Sequence, residues 1–83
     1  MDTITAMKAF AVVARHRSFT KGALALGQSV TVTSKYVRQL EARAQVKLFT
    51  RTTRKVTLTD TGAAYLDRCL LIVEQFDDLE NVV

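Results

Sequence analysis

"SVTVTSKYVRQLE", residues 29–41, opens like a strand and closes like a helix. Val30, Thr31, Val32 and Thr33 alternate in the β-branched, period-two manner of an extended chain, whereas Val37 and Leu40, with charged residues between them, follow a helical step. Read as a helix capped by Ser29, the segment places Val30, Thr33, Val37, Leu40 and Ala44 on one face at steps of three, four, three and four residues. Read as a strand, the alternation fails after Thr33. A β-branched residue weakens a helix by only about a few tenths of a kcal/mol, which burial of the stripe exceeds. The stretch is therefore expected to form a helix over residues 30–44.

Upstream, "TITAMKAFAVVARH" repeats Ile4, Met7, Phe10 or Ala11, and Ala14 at helical steps, which predicts a first helix over about residues 3–15. Ser18 can cap a second, with Phe19 in its first turn, Ala23, Leu24 and Leu26 on its apolar side, and Gly27 at its end. Gly22 inside that helix costs about 1 kcal/mol relative to Ala, so a close approach by another backbone is expected there. Downstream, Val46, Leu48 and Phe49 anchor "RTTRKVTLT", whose Thr- and Val-rich alternation predicts two short strands around a basic tip, a wing. Thr59 then caps a long helix with Asp60 in its first turn. Leu66, Cys69 or Leu70, Val73, Phe76, Leu79 or Glu80, and Val83 form the apolar seam of this helix, which is about 36 Å long to the end of the chain.

Eighty-three residues make one small, mainly α domain, which buries roughly 60–65% of the surface its unfolded chain exposes. A deep enzyme cleft is not expected. No apolar run approaches the roughly 18 residues of a membrane span, and "MDTITAMKAF" lacks the features of a secretion signal, so the chain is expected in the cytoplasm. The single cysteine, Cys69, is expected to be a small buried hydrophobe on the last helix; a redox sensor is the sharper alternative. One His and one Cys cannot build a zinc site alone, and Gly22, Gly27 and Gly62 are scattered rather than gathered into a phosphate loop. His16 is expected to do no more than suit the end of the first helix. Neither catalysis nor a metal is expected.

The net charge of +4 hides an asymmetry. Residues 1–59 carry eleven Lys and Arg against Asp2 and Glu41, a balance of +9; from residue 60 onward six acidic side chains outweigh Arg68, a balance of −5. A positive body suits a polyanion, and a negative tail would be repelled by one. Ala23 and Gly27, one turn apart, allow close helix packing and a sharp turn before the next capped helix, which is how a helix-turn-helix presents its recognition helix. Opposite the apolar stripe, Thr31, Ser34, Lys35 and Arg38 offer hydroxyls and then cations to base edges in a major groove, with Val30 or Val32 available to a thymine methyl. Ser18 and Thr20 are placed to hold a phosphate at a helix N-terminus. The wing tip, Arg51 to Lys55, can follow the backbone or place Arg54 in a narrow minor groove.

With these features in order, the chain resembles the N-terminal part of a LysR-type transcriptional regulator. The resemblance covers essentially the whole chain and rests on "MKAFAVVARHRSFTKGALALG", on Ser34 and a cation in "TSKYVRQLEAR", and on "VKLFTRTTRKVTLTDTG". It implies a winged helix-turn-helix domain over residues 1–58 and a linker and dimerisation helix over residues 59–83. It also implies a homodimer, with a tetramer as the alternative at full length, that reads an interrupted palindrome in double-stranded DNA. A separate two-lobed domain for a small-molecule effector would follow, and it is absent from these 83 residues. Carried over by position, Ser29, Val30, Thr31, Ser34, Lys35 and Arg38 face bases, Ser18 and Thr20 hold phosphate, and Arg54 serves the wing; Arg51 and Thr53 of the basic tip are expected to add phosphate contacts. Leu66, Cys69, Leu70, Val73, Phe76 and Leu79 form the pairing seam.

The sequence departs from the family pattern at several positions. Val30 and Thr31 stand where Gln or Pro is usual, which removes an amide that could read adenine. Val32 replaces a small Ala, and Lys35 replaces Arg, exchanging a bidentate fork for a point charge. Gln45 occupies a position normally Gly, where a left-handed backbone costs a side chain about 1 kcal/mol. The rival readings are a winged-helix protein-interaction module and an RNA-binding domain, the latter resting on Tyr36 as the one plausible exposed aromatic of the basic face.

Overall fold

The computed structural model describes residues 2–51 and 56–82. Within them the chain runs α1 (Thr3–His16), α2 (Phe19–Leu26), α3 (Val30–Ala44), β1 (Phe49–Arg51), β2 (Val56–Leu58) and α4 (Asp60–Asn81). The strands pair antiparallel, with Phe49 opposite Leu58, Thr50 opposite Thr57 and Arg51 opposite Val56. This is the winged helix-turn-helix order followed by a long helix, about 33 Å at 1.5 Å per residue.

Local chemistry explains the boundaries. Asp2 caps α1, accepting the Ile4 N–H at 3.0 Å and the Thr5 hydroxyl at 2.9 Å. The Thr5 hydrogen bond, more than any other influence, lowers the Asp2 pKa. Ser18, Ser29 and Thr59 accept the backbone N–H of Lys21, Val32 and Gly62 at 3.1, 3.1 and 2.9 Å, each starting its helix as expected. α2 ends at Gly27 in the left-handed region, where the Gly27 and Gln28 amides donate to the carbonyls of Leu24 and Ala23. Gln45, at φ 58°, adopts the same conformation at the end of α3 despite its side chain. Arg17 does so after α1, at φ 52°.

The core lies where α1, α3, β1 and α4 meet. Phe10, Val13, Val37, Leu40 and Leu48 are fully buried. The Phe10 ring meets Phe49 edge-on at 5.3 Å and Tyr65 at 6.0 Å, and Phe19 adds a third such contact on Phe49 at 5.8 Å. Gly22 has its reason here: a Cβ would sit 2.9 Å from Val13 Cγ2 and 3.1 Å from Val13 Cα, so α1 and α2 cross where Gly22 permits it.

Two apolar side chains depart from the expected stripes. Leu24, expected on the apolar side of α2, is 82% exposed. At about 100° per residue it points well away from the side on which Gly22 and Ala23 are buried and Leu26 half-buried. Val30, expected in the inner stripe of α3, is 45% exposed, because the first turn of α3 projects past the core. Thr33 takes the innermost place in that turn: fully buried, its hydroxyl lies 2.9 Å from the Ser29 carbonyl and 3.1 Å from Gln28 Oε1, and so is satisfied.

Candidate nucleic-acid interface

α3 presents two chemically opposite faces. Inward go Thr33, Val37, Leu40 and Glu41. Outward, Ser34, Thr31, Lys35 and Arg38 fall within an arc of roughly 100°, with Val30 and Val32 flanking it. Thr31, Lys35 and Arg38 are exposed and Ser34 is half-buried. Ser29 is exposed, and although its Oγ accepts the Val32 N–H, its own proton remains for a further partner. Tyr36 is half-buried against the core, so the aromatic on which an RNA reading rests is not a free stacking platform.

The electrostatics of this face follow from one side chain. Between Asp2 and Asp60 the chain has a single acidic residue, Glu41, and it is 6% exposed. Its Oε2 accepts the Leu48 N–H at 2.8 Å and the Phe49 N–H at 3.3 Å. The exposed cations of α2 and α3, Lys21, Lys35, Arg38 and Arg43, therefore stand with no exposed carboxylate on either helix. Glu41 was absent from the sequence-derived candidates. The signal was available: it lies four residues after Val37 and next to Leu40, on the apolar side of the helix, where a charge needs buried partners.

At the N-terminus of α2, Ser18 is half-buried and caps the helix, while Thr20 is exposed. Arg51 closes β1, and Thr53 and Arg54 lie outside the described residues. No group of three or more His, Cys, Asp or Glu side chains able to hold a metal occurs among the described residues, and no described helix is long and apolar enough to cross a membrane.

α4 alters the expected pairing seam. Cys69 is 2% exposed, inside the protomer's own core, and so is not available to a partner. Burial pushes its thiol pKa up to about 11. Leu66, Val73 and Phe76 are half-buried on the side facing α1, where Leu66, Val73 and the more exposed Leu70 line a groove with Val12 and Leu26. The Lys8 ammonium pins the far end of this packing, 3.0 Å from Asp77 Oδ1 and 5.6 Å from the centre of the Phe76 ring. Much of the seam that the sequence assigns to a partner is thus turned toward the protomer itself, because α4 folds back along α1. The exposed apolar side chains are Leu70, Leu71, Ile72, Leu79 and Val82, the last two 65% and 80% exposed. Leu71, Ile72 and Val82 were absent from the expected seam.

Comparison with known proteins decides the family. Residues 4–63 match the model of the bacterial regulatory helix-turn-helix proteins of the lysR family. The chain belongs to that family. Among curated relatives, an HTH-type transcriptional repressor of Pseudomonas aeruginosa strain UCBPP-PA14 is 44% identical over 80 residues, covering 96% of this chain and 25% of the repressor. The HTH-type transcriptional activator AaeR of Escherichia coli strain K12 is 37% identical over 81 residues, covering 98% of this chain and 26% of the activator. The chain thus spans about a quarter of the length of these relatives. Among solved structures, a CbnR_DBD-DNA complex superposes with a TM-score of 0.90 at 27% identity, covering 98% of this chain and 92% of that one.

Proposed function

We propose that this chain is the DNA-binding part of a LysR-type transcriptional regulator and binds double-stranded DNA sequence-specifically as a homodimer. The observation that carries the reading is the outer face of α3, which joins hydroxyls and cations on a capped helix while the only carboxylate of that helix is turned into the core. The likeness to the CbnR_DBD-DNA complex supports it. Ser29, Val30, Thr31, Ser34, Lys35 and Arg38 would meet base edges, Ser18, Thr20, Arg51 and Thr53 phosphates, and Arg54 a minor groove. Residues 1–58 form the reader, and the long helix pairs two copies through the exposed apolar side chains Leu71, Ile72, Leu79 and Val82 rather than through Cys69. In the full-length regulator a small-molecule effector domain follows, the assembly reaches a dimer or tetramer, and the protein works in the cytoplasm. No enzymatic activity is proposed.

Fluorescence anisotropy against duplexes selected from a random library tests this. Binding is expected to prefer a dyad-symmetric site and to weaken steeply with salt, log K falling by about 0.9 per phosphate neutralised. Equal affinity for every duplex at physiological salt removes the sequence-specific claim, and absence of any duplex binding or salt slope would favour a protein-interaction module.

A further inference from the structure

The segment between α3 and the wing is held from both sides. The amides of Leu48 and Phe49 donate to Glu41 Oε2 on α3, at 2.8 and 3.3 Å. The Lys47 carbonyl accepts the Thr59 hydroxyl at 2.6 Å, and the Leu48 carbonyl accepts the Thr59 N–H at 3.0 Å, just ahead of α4. One short strap therefore gives its donors to the recognition helix and its acceptors to the long helix.

The wing needs such an anchor. Its strands are three residues each, and a two-stranded hairpin of that length is marginal by itself. Phe49, packed between Phe10 and Phe19, fixes where β1 enters the core. Ring packing constrains depth more than direction, whereas two backbone hydrogen bonds to one buried oxygen fix the plane of the chain as β1 begins. An acceptor with negative charge makes these bonds roughly twice as strong as neutral ones.

We infer that Glu41 is a positioning residue for DNA recognition: its buried carboxylate aligns the wing with the outer face of α3, so that the wing's contribution to binding depends on it. Glu41 touches no DNA in this scheme; it acts through β1. The inference rests on the DNA-binding reading proposed above.

The test compares the wild-type chain with Glu41→Gln, Glu41→Asp, Arg54→Ala and the double variant Glu41→Asp/Arg54→Ala, using a library-selected duplex. The Gln amide oxygen can still accept both N–H groups, so Glu41→Gln is expected to keep more of the wild-type affinity and salt slope than Glu41→Asp. The Asp carboxylate is one methylene short, so Glu41→Asp is expected to bind on the order of 10-fold more weakly, with a slope reduced by about one phosphate. The double variant is expected to bind no more weakly than the poorer single variant, because both remove the same wing contacts. Amide hydrogen exchange, which requires no DNA, should show faster exchange over β1 and β2 in Glu41→Asp and unchanged exchange in α1. Multiplying losses in the double variant, an unchanged salt slope, or faster exchange spread evenly over the chain would each overturn the inference. Failure of the wild-type chain to bind any duplex would instead remove the DNA reading, and the inference with it.

Discussion

The carbonyl group of Leu48 lies against the α carbon of Gly62, so close that a Cβ at position 62 would overlap the Leu48 oxygen and sit 2.9 Å from its carbon. α4 begins on top of the strap that enters the wing, and only a residue without a side chain fits the contact. Both groups that would clash are backbone, which cannot rotate away. Gly62→Ala is expected to destabilise the fold by about 2–3 kcal/mol and lower the melting temperature by roughly 10–20 °C. Circular dichroism melts check this, with a loss under about 5 °C arguing that the strap can give.

Gln45 ends α3 at φ 58° with an exposed side chain. A left-handed backbone costs a side-chain-bearing residue about 1–2 kcal/mol, part of which Gly returns through its freer unfolded chain. Gln45→Gly is expected to raise stability by about 0.5–1 kcal/mol, read as a higher denaturant midpoint at unchanged slope.

Cys69 links stability to alkaline pH. Its thiol is raised from an ordinary 9.0 to about 11 by burial, so between those values the unfolded chain releases a proton that the folded chain retains. The unfolded state then binds fewer protons, and stability falls as pH rises from about 9 toward 11. Tyr65, raised above 10.0 chiefly by burial, acts in the same direction. Denaturant midpoints measured across this range should decline in the wild-type chain and decline less in Cys69→Ala. A thiol reagent should modify Cys69 slowly in the native protein and rapidly in denaturant.

The two sides of α4 give opposite outcomes. Leu79→Asp and Ile72→Asp, on exposed positions, are expected to convert the proposed dimer to a monomer by sedimentation with little change in helical content. Cys69→Ala is expected to keep the dimer mass while losing about 1 kcal/mol of stability. Val73→Asp and Phe76→Asp place a carboxylate on the side that packs against α1 and are expected to lower the melting temperature of the protomer. A dimer that survives Leu79→Asp and Ile72→Asp would move the pairing surface elsewhere.

The proposed base contacts and phosphate contacts are told apart by specificity. Ser34→Ala and Arg38→Ala are each expected to cost about 1–3 kcal/mol and to relax preference at one position of the site. Thr20→Ala should weaken all duplexes alike, as expected of a phosphate contact. A repeated selection of bound sequences for each variant makes the comparison.

Much of the fold was written locally. The caps at Ser18, Ser29 and Thr59, the glycine that ends α2, the wing pattern and the reading of "SVTVTSKYVRQLE" as helix all follow from residues within a turn or two of one another, so a single sequence suffices to read them. The outward positions of Thr31, Lys35 and Arg38 were equally legible, because helical period and charge agree there. The motif around the wing carried the family.

The inward stripe of Thr33, Val37 and Leu40 and the burial of Cys69 were legible as well, but the tertiary structure alone decided which groups depart from the pattern and what covers each face. Leu24 and Val30 fit apolar patterns and lie exposed; Glu41 breaks one and is buried; Cys69 sits on a seam that looks ready for a partner and belongs to the protomer. Periodicity states that a helix has a face to cover, but what covers it depends on the element packed alongside. Here α4 folds back along α1, fastened by Lys8 to Asp77, and the strap at Leu48 brings backbone donors to Glu41. Those partners are 69 and 7 residues distant in sequence, and only the folded chain brings them together.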